Sequence, residues 1–230
     1  MSPTITPQGP GQNTAMWYRT TQEAVVEHLR SQILRGVMMP GTRLLQAEVA
    51  AELQISTTPV REALRQLVSE GLLDGDAHRG VTVHQTSREE LEDIYEIRMA
   101  LEPLAIASTV ERVTEEELKR VESIVEEMES SEATRFVELN ALFHKVLADA
   151  ARRPRLAAIL TNLRELSTFY VAQELRAESG GAQISIHIAD HRRLLAACKA
   201  GDGSATKRIQ REHLAHTLDA GLAYLDSVEA

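Results

Sequence analysis

The 230-residue sequence contains one cysteine, Cys198. A single thiol excludes an internal disulfide and fits the reducing cytoplasm, where the chain is expected to reside. Aromatic residues make up only 3% of the chain, while Ala, Leu, Glu and Arg are frequent. That balance favours helices over sheets. No apolar run approaches the ~18 residues of a membrane span, so no membrane association is expected. No basic stretch followed by an apolar one opens the chain, so no secretory signal is read. Positive charge is short overall, with a formal net charge of −9, but unevenly so. Residues 1–17 carry no Lys, Arg, Asp or Glu. Residues 18–88 carry eight Arg against eight acids, and residues 89–230 carry 17 basic against 26 acidic residues. An acidic chain can still neutralise phosphates where its Arg residues share one face, because that effect is local.

What is present is a 43% hydrophobic content, enough for a sizeable core in one large domain or two ordinary ones. Residues 1–17, rich in Pro, Gly, Thr and Gln, read as a flexible tail. Trp17 is expected to pack onto the first helix. Thr20-x-x-Glu23 is a capping-box pattern that predicts a helix start. The apolar face of that helix holds Val25, Val26, Leu29, Ile33 and Leu34, and Gly36 stops it. A short helix is predicted over 45–53. A third begins at Ser56, Thr57 and Thr58, with Pro59 in its first turn, and runs through Val60, Leu64, Leu67 and Val68 to Gly71. A polar turn at 74–80 before Val81-Thr82-Val83 predicts a small hairpin. Three helices and a hairpin make a winged helix-turn-helix over residues 18–87. From residue 88 the pattern is helical to 230. Helices are predicted over 88–111, 114–131, 133–151, 154–178, 183–200 and 203–227, with breaks at Thr114, Ser130-Ser131, Pro154, Gly180-Gly181 and Gly201-Asp202-Gly203. Short links between them predict a compact antiparallel, all-helical bundle.

In a helix-turn-helix the second helix of the pair enters the major groove and presents its N-terminal side chains to bases and phosphates. Here that helix opens with Ser56, Thr57 and Thr58, whose hydroxyls can cap it or donate to phosphates. Arg61 lies one turn inside and Arg65 four residues further, on the same face. Both can reach phosphate or a guanine edge. Arg43 is placed to grip the backbone, and His78 and Arg79 stand at the hairpin tip, with Gly80 allowing close approach. A surface helix with ordinary arginines is the competing reading of each residue taken singly. Residues 22–83 closely resemble the GntR superfamily of bacterial regulators. The resemblance runs through Ile33-Leu34-x-Gly36, Pro40-Gly41-x-x-Leu44, Ser56 to Leu64, Leu67-x-x-Glu70-Gly71-Leu72 and Arg79-Gly80-x-x-Val83, in order and spacing. It implies a double-stranded DNA operator as partner. Thr57 stands where that family commonly has a base-contacting Arg, and Ala47 where some members carry a basic residue. Operator readout is therefore expected to lean on Arg61, Thr58 and the wing.

Five histidines, His144, His187, His191, His213 and His216, follow residue 89. His144 lies four residues after Asn140, on one helical face; His191 and His213 fall on two further helices. Three helices of a bundle can point three imidazoles at one centre, and such nitrogens suit Zn, Ni, Fe or Mn. Scattered histidines are more often surface or core residues, so spacing leaves both readings open. Residues 88–227 look like the FCD effector-binding domain of the FadR subfamily. The cues are Ile97-Arg98-x-x-Leu101-Glu102, Asn140-x-x-Phe143-His144, Asp190-His191-x-x-Leu194-Leu195-x-Ala197, Gly201-Asp202 and His213. The resemblance implies a divalent transition metal, Zn or Ni foremost, on Asn140, His144, His191 and His213, and a small organic acid as effector. Asn140 departs from the commoner Asp and is a neutral, weaker ligand. His187 and His216 are expected beside the site or at the surface rather than as ligands. Arg98 is a candidate for the effector cavity, balanced against a pair with Glu102 one turn on. Tyr95, Phe169 and Tyr170 are candidates for the lining, with core packing as their ordinary role.

The expectation is a homodimeric, effector-responsive repressor whose reading heads face successive major grooves about 34 Å apart. A repressor for which the metal itself is the signal is one rival. A metal-dependent hydrolase is another; it needs a general base, for which Glu165 and Asp190 are the candidates.

Overall fold

The computed structural model describes residues 12–76, 79–176 and 180–229, and divides into two compact units with the boundary between Gln85 and Thr86. The side chain of Trp17 and residue His78 lie outside the described ones. The first unit opens with α1 (Gln12–Leu34). The pattern Thr20-x-x-Glu23 thus lies inside the helix, not at its start, and α1 reaches back into the expected tail. Residues 12–19 contain neither Gly nor Pro, so a helix nucleated further on can propagate through them as far as the Gly9-Pro10-Gly11 run. Next come β1 (Arg43–Leu44), α2 (Gln46–Glu52), α3 (Thr57–Ser69), β2 (Leu73–Asp76) and β3 (Gly80–Val83). The sheet order is β1-β3-β2, antiparallel throughout, with Arg43 opposite Thr82 and Leu73 opposite Val83. The hairpin expected at 73–83 is therefore joined by a third strand. Two residues are too few to show alternation, which is why β1 was invisible in the sequence.

The core of this unit is the predicted apolar stripe. Val25, Val26, Leu29 and Ile33 of α1, Val60, Leu64 and Leu67 of α3, and Leu73, Val81 and Val83 of the hairpin are all buried, and Gln22 Nε2 of α1 donates to Gln66 Oε1 of α3 at 3.2 Å. Gln54, at φ 55, turns the chain between α2 and α3. The two helices meet there as a helix-turn-helix.

The second unit is a bundle of α4 (Arg88–Arg112), α5 (Glu115–Glu129), α6 (Ala133–Ala150), α7 (Pro154–Arg176), α8 (Gly180–Lys199) and α9 (Gly203–Glu229). Ser87 caps α4 by accepting from the Glu90 amide at 3.1 Å. Thr114 and Glu117 form a reciprocal capping box on α5, at 3.2 and 2.9 Å. Helix α4 packs mainly on α9, which also takes α7 and α8, while α5 lies against α6 and α8. One apolar cluster gathers Val121, Ile124, Phe136, Phe143 and Leu194. The other gathers Leu91, Ile94, Tyr95, Phe169, Tyr170 and Leu214. Phe169 and Tyr170 thus pack in the core, and the Tyr170 hydroxyl accepts the Thr86 amide at 2.6 Å. Cys198 is buried, and burial pushes its thiol up to about 12, which leaves it an inert packing residue.

Candidate metal centre and nucleic-acid interface

His144 comes from α6, His191 from α8 and His213 from α9, and the bundle brings all three side chains together in its interior. Their exposures are 5%, 0% and 3%. One ligand atom from each lies within 4.8 Å of the others. Ring centroids are 5.3 Å apart for His144–His191, 5.2 Å for His144–His213 and 4.9 Å for His191–His213. Burial holds His144 well below the usual imidazole range, helped by the Arg164 guanidinium and the neighbouring imidazoles. Burial does the same to His191, helped by His213 and His187. Neutral imidazoles carry the free lone pair that a metal needs.

Several polar atoms here have no partner in the protein. Both ring nitrogens of His191, Nδ1 of His213 and Oδ1 of Asn140 are buried without a hydrogen bond. Buried polar groups are nearly always satisfied, so a cluster of orphans asks for a missing one. The donor set, three imidazoles with an amide oxygen one turn from His144, suits a divalent transition ion.

A second layer surrounds it. Asp190 Oδ2 takes His216 Nδ1 at 2.8 Å, and Arg193 Nη1 donates to Asp190 Oδ1 at 3.1 Å. The same carboxylate stands 3.6 Å from His213 Nδ1, an attraction too long for a hydrogen bond. Burial raises the pKa of Asp190, but His213 and His216 outweigh it and hold the carboxyl at about 2. Asp190, weighed as a general base, is thereby committed to its neighbours. His216 is part-exposed, while His187, expected beside the site or at the surface, is 2% exposed and packed inside. Its pKa falls to about 3 through burial.

Next to His144 lies a space of about 10 Å³, room for one water, bordered by Glu102, Thr109, Arg164 and Gln210. Arg98 does not border it. Its Nε donates to Glu102 Oε1 at 2.9 Å, its Nη1 to Ser167 Oγ at 2.9 Å, and its guanidinium lies 4.4 Å from the centre of the Tyr95 ring. Of the two readings of Arg98, the pair with Glu102 is the one formed. Tyr95 is fully buried beneath it. Arg164 and Gln210 were not singled out in the sequence. Neither sits in a recognisable motif, and only the packing of α7 and α9 on α4 brings them to Glu102.

In the first unit, Ser56, Thr57 and Thr58 are exposed at the start of α3. Ser56 is the N-cap, yet its side chain makes no capping hydrogen bond. Arg61 is partly exposed and Arg65 exposed, with Arg61 Nε and Arg65 Nη1 at 3.2 and 3.3 Å from Glu62 Oε1. Arg43 is exposed on β1, and its Nη2 donates to the Arg79 carbonyl at 3.3 Å, which joins the two wing arginines. Gly80 has a backbone reason of its own: φ is +104°, and a Cβ there would stand 2.8 Å from Leu45 Cδ2. No helix among the described residues is long and apolar enough to cross a membrane.

Residues 93–216 match the FCD domain, and residues 21–83 match bacterial regulatory proteins of the gntR family. The chain is 29% identical over 205 residues to the uncharacterized HTH-type transcriptional regulator YdhC of Bacillus subtilis, covering 84% of this chain and 90% of that one. It is 29% identical over 208 residues to the HTH-type transcriptional regulator McbR of Escherichia coli, covering 87% and 90%. The solved structure of E. coli McbR/YncC superposes with a TM-score of 0.78 at 27% identity, over 91% of this chain and 99% of that one. The gluconate operon transcriptional repressor of Bacillus subtilis is 29% identical over 161 residues, 68% of this chain and 66% of that one. These relatives are transcriptional regulators, not enzymes.

Proposed function

The chain belongs to the gntR family of bacterial regulatory proteins and carries an FCD domain, and from that premise we propose that it is an effector-responsive repressor whose helical unit binds a divalent transition metal and a small organic acid. Several relatives are named repressors, which supports that sign of control. The observation that carries the metal is the buried trio His144, His191 and His213 beside the orphaned Asn140 oxygen. Asn140, His144, His191 and His213 would hold the ion, with Zn or Ni the best match to the nitrogen-rich set. A bound ion supplies a Lewis-acidic centre for a carboxylate oxygen. Around it the chain's own groups hold position: Asp190 faces His213, and Arg164 brings positive charge to the wall next to His144.

In this reading the winged unit contacts an operator through Arg43, Ser56, Thr57, Thr58, Arg61, Arg65 and the Arg79-Gly80 tip. Two copies pair so that both heads engage one face of the duplex. The effector prefers one state of the bundle, and that preference changes how the heads bind.

A second reading keeps the metal and drops the acid. It is favoured by the size of the space next to His144, about 10 Å³, and by the commitment of Arg98 and Arg164 to Glu102. An organic acid enters only if these groups part. The metal would then be the signal.

The deciding experiment is metal analysis of purified wild type beside a His144→Ala/His191→Ala variant, followed by titration of a DNA complex. About one ion per chain in the wild type, absent from a folded variant, supports the site. DNA release on adding an organic acid to the metal-loaded protein supports the first reading. Release or capture on adding metal alone supports the second. No ion in either protein after adding Zn or Ni would remove both.

A further inference from the structure

We propose that His187 is a fourth imidazole ligand of this centre, so that the ion is held by nitrogens from α6, α8 twice, and α9. The inference rests on the metal reading above and adds a residue to it. His187 and His191 lie four residues apart on α8, hence on one face, and both are buried, at 2% and 0% exposure. The His187 ring is 5.3 Å from that of His213, about as far as His144 is from either His191 or His213. His213 is thus the common neighbour of three other imidazoles. His187 stands 6.5 Å from His191, outside the trio whose ligand atoms lie within 4.8 Å of one another, so it joins the ion only by turning its ring inward.

Its Nε2 atom is the second point. It is buried and makes no hydrogen bond. A histidine that serves only to fill the core normally finds a partner for each buried nitrogen, since leaving one unmet costs about 1–3 kcal/mol. The ring it tilts against, Phe136 at 6.1 Å, has no polar atom to offer. The third point is Asn140. A neutral amide oxygen is a poor ligand for a borderline-soft ion compared with an imidazole nitrogen. A site built with Asn140 in place of a carboxylate gains most from another nitrogen donor, and His187 is the buried residue with one unused.

The test uses the full chain, stripped with chelator and loaded with Co(II). Each bound imidazole then shows one strongly shifted, exchangeable N–H proton resonance. Four are expected in the wild type and three in His187→Gln, whose zinc affinity, measured by competition with a chromophoric chelator, is expected to fall about tenfold or more. Three resonances in the wild type, unchanged in number in His187→Gln, would overturn the assignment while leaving the metal site standing. Absence of any Co(II) or Zn binding in the wild type would overturn the metal reading and this inference with it. The wild-type count decides the matter even if the variant folds poorly.

Discussion

Arg98 and Glu102, one turn apart on α4, form a 2.9 Å ion pair with side chains only 5% and 1% exposed. Arg164 Nη2 reaches the other oxygen of Glu102 at 2.9 Å, and Gln210 Nε2 donates to it at 2.6 Å. Burial alone would raise the pKa of this carboxyl; Arg164 and then Arg98 outweigh it and hold the group at about 2. One carboxylate therefore ties α4, α7 and α9 together, at the wall of the space next to His144.

Glu102→Gln leaves two guanidinium groups without their anion. Breaking a buried pair by removing one partner costs about 3–5 kcal/mol, because the remaining charge stays buried. Urea unfolding of Glu102→Gln is expected to show a loss of that order. Replacing both members of the α4 pair, as Arg98→Met/Glu102→Leu, is expected to cost less than Glu102→Gln alone. Equal or greater loss in the double variant would mean that Arg164 and Gln210, left there without an acceptor, cost more than the removal of the Arg98 charge relieves.

The elements that carry long amphipathic patterns were legible in the sequence, and those set by contact were not. The α1 and α3 stripes and the Thr114 cap follow from 3.6-residue periodicity and from helix breaks, whereas spacing left the convergence of His144, His191 and His213 open and only the resemblance to the FCD domain implied it. The start of α1 was misplaced because a capping-box pattern is only two residues of information and also occurs inside helices. Strand β1 exists because Arg43 and Leu44 find β3, not because of any pattern of their own. Asn140, His187 and His191 are alike in sequence in lying on helical faces. Their burial depends on how α6 and α8 rotate in the bundle, as does the meeting of Arg164 with Glu102.

Arg65 is exposed on α3, one turn beyond Arg61. If both meet phosphates, each contributes about 0.9 to the slope of log affinity against log salt. Arg65→Ala is expected to weaken binding to any duplex and to lower the slope by about that amount, in fluorescence anisotropy over a salt series. Arg208→Ala, an exposed arginine on α9, serves as the control and should leave the slope unchanged. A slope unaltered by Arg65→Ala would place that side chain off the DNA.

Gly80 opens β3 opposite Asp76, with a positive φ that suits glycine. Gly80→Ala would press a methyl group onto Leu45 Cδ2 and compel a strained backbone as well. The expected cost is about 1–3 kcal/mol. It should appear as a lower unfolding midpoint together with weaker DNA binding, because the wing carries Arg43 and Arg79. Unchanged stability would show that Leu45 yields without loss.

The metal-free bundle is expected to be acid-sensitive well above the carboxylate range. An unfolded imidazole titrates near 6.5. In the folded chain His187 falls to about 3, and His144 and His191 lie well below their ordinary value, each chiefly through burial. Below pH about 6.5 the unfolded chain therefore takes up protons that the folded chain refuses, and stability drops as pH falls. Each such histidine contributes about 1.4 kcal/mol per pH unit once well below 6.5. Between pH 6.5 and about 5.5 the carboxylates Glu102 and Asp190, held at about 2 in the fold, stay almost fully ionised in both states, and the slope reports the imidazoles. Urea midpoints of chelator-treated protein are expected to fall steeply over that range. The fall should be much shallower in a His144→Leu/His191→Leu variant. A flat profile in the metal-free wild type would mean that these imidazoles accept protons without leaving the fold, through water reaching the centre, and would remove the dry, neutral cluster on which metal binding is argued.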